Sequence, residues 1–102
     1  MITPTHRLPV HPGEILEDCI MTLNWSTSTM ADRLGLDVTN LEAILDEAQP
    51  VTAEVALRLA RLIGTTPKMY MSMQSSYDLA VAHRKIQDQL GAIVPLTDAE
   101  RD

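Results

Sequence analysis

Phenylalanine is absent from this 102-residue chain, and aromatics are limited to one Trp and two Tyr, so the core has to be filled by aliphatic side chains and by some of its six Met. A single cysteine, Cys19, excludes an internal disulfide and makes a reducing cytoplasm the expected compartment. The longest apolar runs are too short for a membrane span, and the opening MITPTHRLPV lacks the charged-then-apolar order of a signal peptide, so no membrane association is expected. There is no Gly-rich phosphate loop, no Gly-x-Ser-x-Gly elbow and no paired acid–base constellation, and His6, His11, His83 and Cys19 lack ligand spacing. Catalysis, a metal and a cofactor are therefore not expected. The most telling absence is local. Between Leu34 and Leu57 there is no Lys or Arg, while five carboxylates occur: Asp37, Glu42, Asp46, Glu47 and Glu54. With net charge −6 and a pI near 4.8, the chain favours basic protein partners over nonspecific attraction to nucleic acid or anionic lipid.

Apolar residues make up 45% and charged residues 22%, an ordinary globular composition, and the length suits one domain with a core that needs no cross-link. Residues 1–11, with Pro4 and Pro9, read as an extended arm whose one basic side chain is Arg7. Residues 12–90 read as an all-α domain and 91–102 as a fraying tail. The first helix starts at Pro12, with Ile15, Leu16, Cys19, Ile20 and Leu23 as its apolar stripe. Ser26 is the expected cap of a second helix, with Trp25 stapled on Met30. That helix ends at Gly35, suited to the left-handed conformation, and Asp37 is the expected cap of a third helix with Leu41, Ile44 and Leu45 facing inward. Two short helices joined by a turn of a few residues make a helix-turn-helix. After Pro50, Thr52 caps a fourth helix that ends at Gly64, with Val55, Leu59, Leu62 and Ile63 inside. Thr66-Pro67 starts a long fifth helix to about Leu90, with a predicted stripe of Met69, Met73, Tyr77, Ala80 and Val81. Leu79, Ile86 and Leu90 exceed what four short helices need as cover, which points to a partner.

The stretches HPGEIL (11–16), ADRLGL (31–36) and VTAEVALRLARLIGTTPKMYMSMQSSYDL (51–79) closely resemble the HigA family of antitoxins, within the lambda-repressor-like (XRE-type) helix-turn-helix proteins. The resemblance implies a five-helix lambda-repressor-like domain with a long C-terminal helix. It further implies a homodimer that neutralises a small basic RelE-type toxin and, with it, represses their shared operon. The chain departs from the family at Asp46-Glu47-Ala48-Gln49, where a turn like Asn-Gly-Lys-Arg is usual, so the turn glycine and two phosphate-gripping cations are replaced. Thr29 stands where a capping-box Glu is usual.

The candidate DNA-reading residues are Arg33 with Val38, Thr39, Asn40, Glu42 and Ala43 at the start of the third helix. Thr39 and Asn40 suit a thymine methyl and adenine, and Glu42 suits cytosine N4. A supporting role for Asn40 and a solvated one for Glu42 compete evenly with base contact, because base edges are read only after phosphate contacts set the register. Arg7, Gln49 and Arg58 are the candidate phosphate contacts, although for Arg58 and Arg61 pairing with acids such as Glu54 is the favoured reading. Tyr77, Leu79, Ile86 and Leu90 are the candidate dimer interface. The leading expectation is an antitoxin that binds its toxin and represses its own operon, with DNA binding weakened by the acidic segment. The competing one is a regulator acting without a toxin.

Overall fold

The computed structural model describes residues 8–101, so Arg7 and the first part of the predicted arm lie outside the described residues. Its helices are α1 (Pro12–Leu23), α2 (Thr27–Leu34), α3 (Val38–Leu45), α4 (Ala53–Ile63), α5 (Pro67–Gly91) and a short α6 (Asp98–Arg101), with no strand among the described residues. The first five fall where periodicity and caps put them.

Each start has an identifiable local cause, because the first N–H groups of a helix lack internal partners. Ser26 Oγ accepts from Thr29 N at 3.0 Å, and the Ser26 and Thr29 hydroxyls bond each other at 2.9 Å, in place of a capping box. Thr52 and Thr66 accept from Val55 N and Met69 N. Asp37 occupies the cap position of α3 but its side chain accepts no cap bond, a correction to the expected role. α1 is capped by a residue the sequence reading passed over: His11, 2% exposed, accepts from Gly13 N through Nδ1 at 2.9 Å.

Three helix ends share one closure, a Schellman pair in which the residue after the helix turns left-handed. It is Asn24 after α1 (φ 57°), Gly35 after α2 (φ 71°) and Glu47 after α3 (φ 61°). Around Glu47, its own N–H donates to Ile44 O at 3.0 Å and Ala48 N to Ala43 O at 2.8 Å. Glu47 thus adopts the glycine-type backbone without being glycine.

The core is Leu16 and Ile20 of α1, Met30, Ala31 and Leu34 of α2, Leu41 and Ile44 of α3, Val51, Val55, Ala56, Leu59 and Ala60 in and before α4, and Tyr70 of α5. α1 approaches α3 so closely at Gly13 that a Cβ there would run into the Ile44 carbonyl oxygen.

The predicted stripe of α5 is corrected. Its buried residues are Tyr70 and Gln74, while Met69 and Val81 are exposed and Met73, Tyr77 and Ala80 are half-buried. Tyr70 reaches Thr65 through its hydroxyl at 2.7 Å. Gln74 Oε1 accepts from Val51 N at 2.8 Å, and its Nε2 donates to Asp78 at 2.9 Å. A buried N–H at the α3–α4 loop is thereby satisfied from α5. Beyond Ala82 every described residue is exposed, and the helix leaves regular geometry at Ile86 (φ −118°, ψ 17°). The projecting helix explains a radius of gyration of 17.8 Å, where a compact chain of this length has about 13 Å.

The expected fraying tail contains α6. Thr97 N donates to Glu100 at 2.9 Å and Glu100 N to Thr97 Oγ1 at 3.3 Å, a reciprocal capping box whose Thr-x-x-Glu signature was legible at 97–100. The Thr97 amide, and after it the Thr97 hydroxyl, hold the Glu100 carboxyl below its ordinary pKa.

Candidate nucleic-acid interface

α2, the Gly35–Asp37 turn and α3 form the helix-turn-helix. Leu41 and Ile44 bury one side of α3, which leaves Val38, Thr39 and Glu42 exposed and Asn40 and Ala43 half-buried on the other. Five of the six candidate reading residues are therefore on one helix, toward its outer side. The sixth, Arg33, is exposed at the end of α2 with its guanidinium 4.8 Å from the centre of the half-buried Trp25 ring, a cation–π stack that orients the charge.

The turn is pinned from α4. Arg58 donates from one terminal nitrogen to Leu34 O at 2.9 Å and Gly35 O at 3.4 Å, and from Nε to Glu54 at 3.3 Å. Its guanidinium therefore answers the last carbonyls of α2, where a cation also opposes the helix dipole. Sequence reasoning offered Glu54 as a partner but not the two carbonyls, which only the fold brings near. A side chain at position 35 would suffer both the left-handed φ and a 2.7 Å approach to Arg58.

Charge is segregated along α2. At its N-terminal end, Glu17 of α1 joins Glu42, Leu45 and Asp46 of α3 and its C-cap, together with Thr27, around an open depression of about 400 Å³. At its C-terminal end, Arg33, Arg58 and Arg61 share a groove of about 620 Å³ with Leu34, Leu57 and Leu62. Eight helical residues separate the two by roughly 12 Å. The depression concentrates negative potential beside the outer side of α3, so a phosphate approaching it is repelled. Asp37, without a cap bond, adds an exposed carboxylate at the start of α3.

Of the other candidates, Gln49 is exposed in the loop after α3, its N–H on Ala43 O at 3.2 Å. His83, Arg84 and Lys85 are exposed on the projecting part of α5. Leu79 (69% exposed), Ile86 and Leu90 are open to a partner, whereas Tyr77 is half-buried with its ring edge-on to His11 at 4.8 Å between centroids. Tyr77 thus packs partly inside the protomer. No group of three or more potential metal ligands comes together among the described residues, and no described helix is long and apolar enough to cross a membrane.

No family model matches the chain. Individual proteins do. It is 36% identical over 92 residues to virulence-associated protein I of Dichelobacter nodosus, covering 88% of this chain and 84% of that protein. Among solved structures, an addiction module antidote protein of a HigA family from Coxiella burnetii matches with a TM-score of 0.81 at 35% identity, covering 89% of this chain and all of that one. Pseudomonas aeruginosa antitoxin HigA with the higBA promoter matches with a TM-score of 0.82 at 34% identity, over 87% and 99% of the two chains.

Proposed function

Since the chain belongs to the HigA family of helix-turn-helix antitoxins, we propose that it is a homodimer that binds its own upstream DNA through α2 and α3 and neutralises a small basic RelE-type toxin in the cytoplasm. The observation that carries the reading is the pinned α2-turn-α3 unit, in a chain that matches a promoter-bound relative over nearly its whole length. The exposed outer side of α3, with Thr39, Asn40 and Glu42, supports base reading, and the uncovered Leu79, Ile86 and Leu90 support dimerisation along α5.

The acidic depression supports a division of labour between the partners. Alone, the dimer holds DNA weakly; with a basic toxin bound, the missing cations are supplied and the operator is held more firmly. Lys and Arg at positions 48 and 49 would add two phosphate contacts per protomer, four per dimer. At about 0.9 per contact, their absence flattens the slope of log affinity against log salt by roughly 3 to 4 units. The test is a salt titration of binding to the gene's own upstream DNA, for the protein alone and for the variant Glu47→Gly/Ala48→Lys/Gln49→Arg. Weak, shallow binding that steepens in the variant supports the reading. Tight binding by the unmodified dimer with a steep slope overturns the weakened-operator reading. Failure to bind the product of a neighbouring gene overturns the antitoxin reading.

A further inference from the structure

A second groove adjoins the arginine groove. It is about 420 Å³, lined mainly by apolar side chains from α1, the loop before α2 and α4, including Ile15, Cys19, Leu23, Trp25 and Ile63, with Asp18 and Thr22 on its α1 wall, and it shares Arg33 and Leu62 with the arginine groove. The two form one continuous face, apolar at the α1 end and cationic at the α4 end. Leu23 is 46% exposed there, and Trp25 is half-buried.

The only described segment with the matching order of chemistry is the C-terminal one. Ile93, Val94 and Leu96 are exposed by 66, 84 and 59%, and Asp98 and Glu100 follow them on α6. Three uncovered apolar side chains in a row of four positions have a strong tendency to leave water. We propose that the segment Ile93–Glu100 of one protomer docks in this face of a second copy, with Ile93, Val94 and Leu96 in the apolar groove and Asp98 and Glu100 toward Arg33, Arg58 and Arg61.

The occupant is a second copy because, within one chain, Ile93, Val94 and Leu96 stay exposed and do not enter the groove. Leu62 and Ile63, on the groove wall, lie four to five residues before α5 begins at Pro67. From Pro67 to Ile86 the helix carries the chain away by roughly 29 Å at about 1.5 Å per residue. From the irregular Ile86, the last helical turn and the extended residues to Leu96 can return by at most about 25 Å, even when folded straight back. The inference requires the homodimer of the proposed function but neither the toxin nor the operator.

Two reporters already sit in the groove. Trp25 is the one Trp of the chain and Cys19 its one cysteine. The experiment compares the full chain with a chain ending at Gly91, which removes no buried residue among those described, and with Asp98→Lys/Glu100→Lys. Solution mass, the rate of Cys19 reaction with an aromatic disulfide reagent and the Trp25 emission maximum are followed against protein concentration. With the groove filled about four-fifths of the time in the dimer, Cys19 should react roughly fivefold faster in the shortened chain. Trp25 emission should shift to the red, and diluting the full chain below its dimer dissociation concentration should reproduce both changes. The double lysine variant should lie between the two chains. Equal Cys19 rates in dimeric full and shortened chains would overturn the proposal and leave the groove to a different protein. Protection that survives dilution to monomer would overturn it in favour of the chain's own tail. A full chain that is monomeric throughout would overturn the dimer, and this inference with it.

Discussion

Glu47 is the position where a backbone requirement and the residue present disagree most. It closes α3 with φ 61°, in a Schellman pair whose two hydrogen bonds are both made, so the conformation is held although the side chain disfavours it. A non-glycine residue in the left-handed region costs about 1–2 kcal/mol. Glycine removes that cost but raises the entropy of the unfolded chain, which takes back roughly 0.4–1 kcal/mol. The net expectation for Glu47→Gly is a gain of roughly 0.5–1 kcal/mol from the backbone. For a domain of this size that is about 2–8 °C in Tm. Glu47→Gln is the necessary control, because it removes the same charge from beside Asp46 and from the negative end of α3 without releasing the backbone. Thermal unfolding followed by circular dichroism, at one fixed protein concentration, should rank Glu47→Gly above Glu47→Gln. The control should stay within about 0.5 kcal/mol of the parent, as exposed substitutions usually do. A glycine variant no more stable than the glutamine variant would refute the reasoning, since the left-handed turn would then carry no strain.

Gly13→Ala should destabilise by about 1–3 kcal/mol, because its Cβ meets the Ile44 carbonyl, a backbone atom that cannot rotate aside; urea unfolding should show a lower midpoint at unchanged slope. Gln74→Leu should cost about 1–3 kcal/mol by leaving the buried Val51 N–H without an acceptor, and hydrogen exchange should rise first at Val51 if that bond is the reason. The α6 capping box should respond to acid. The Glu100 carboxyl is held below its ordinary value of 4.5, so its contribution is complete above that pH and disappears as the pH falls through the lowered value. The Thr97 amide resonance should follow that titration, and an amide shift insensitive to pH between 5 and 2 would count against the box.

Much of the architecture was legible because punctuation is local. Ser26, Thr52, Thr66-Pro67, Gly35 and Gly64 act within one helical turn of themselves, and each does what its chemistry suggested. Readings that depended on long-range partners fared less well. On α5 the methionines suggested a stripe through Met69 and Met73, yet Tyr70 and Gln74 face inward, because Gln74 finds Val51 N–H twenty-three residues away. A polar side chain with a buried partner is invisible to an apolar periodicity count. His11 was hidden for the same reason, its ring being placed by Tyr77 from the far end of the domain. At the candidate interface the excess of acid was legible, but not that Arg33, Arg58 and Arg61 gather at the other end of α2 from it.

The Gln74 bridge also bears on distance. Sliding α5 along the rest of the domain by a single residue would move it about 1.5 Å and rotate Gln74 away from Val51, stranding the buried N–H. The long helix is therefore keyed to one register against the segment that follows α3. In a dimer joined through the outer part of α5, that key sets how far apart the two recognition helices stand. Together with Tyr70 on Thr65 and Tyr77 on His11, the glutamine makes that distance a rigid property of the fold.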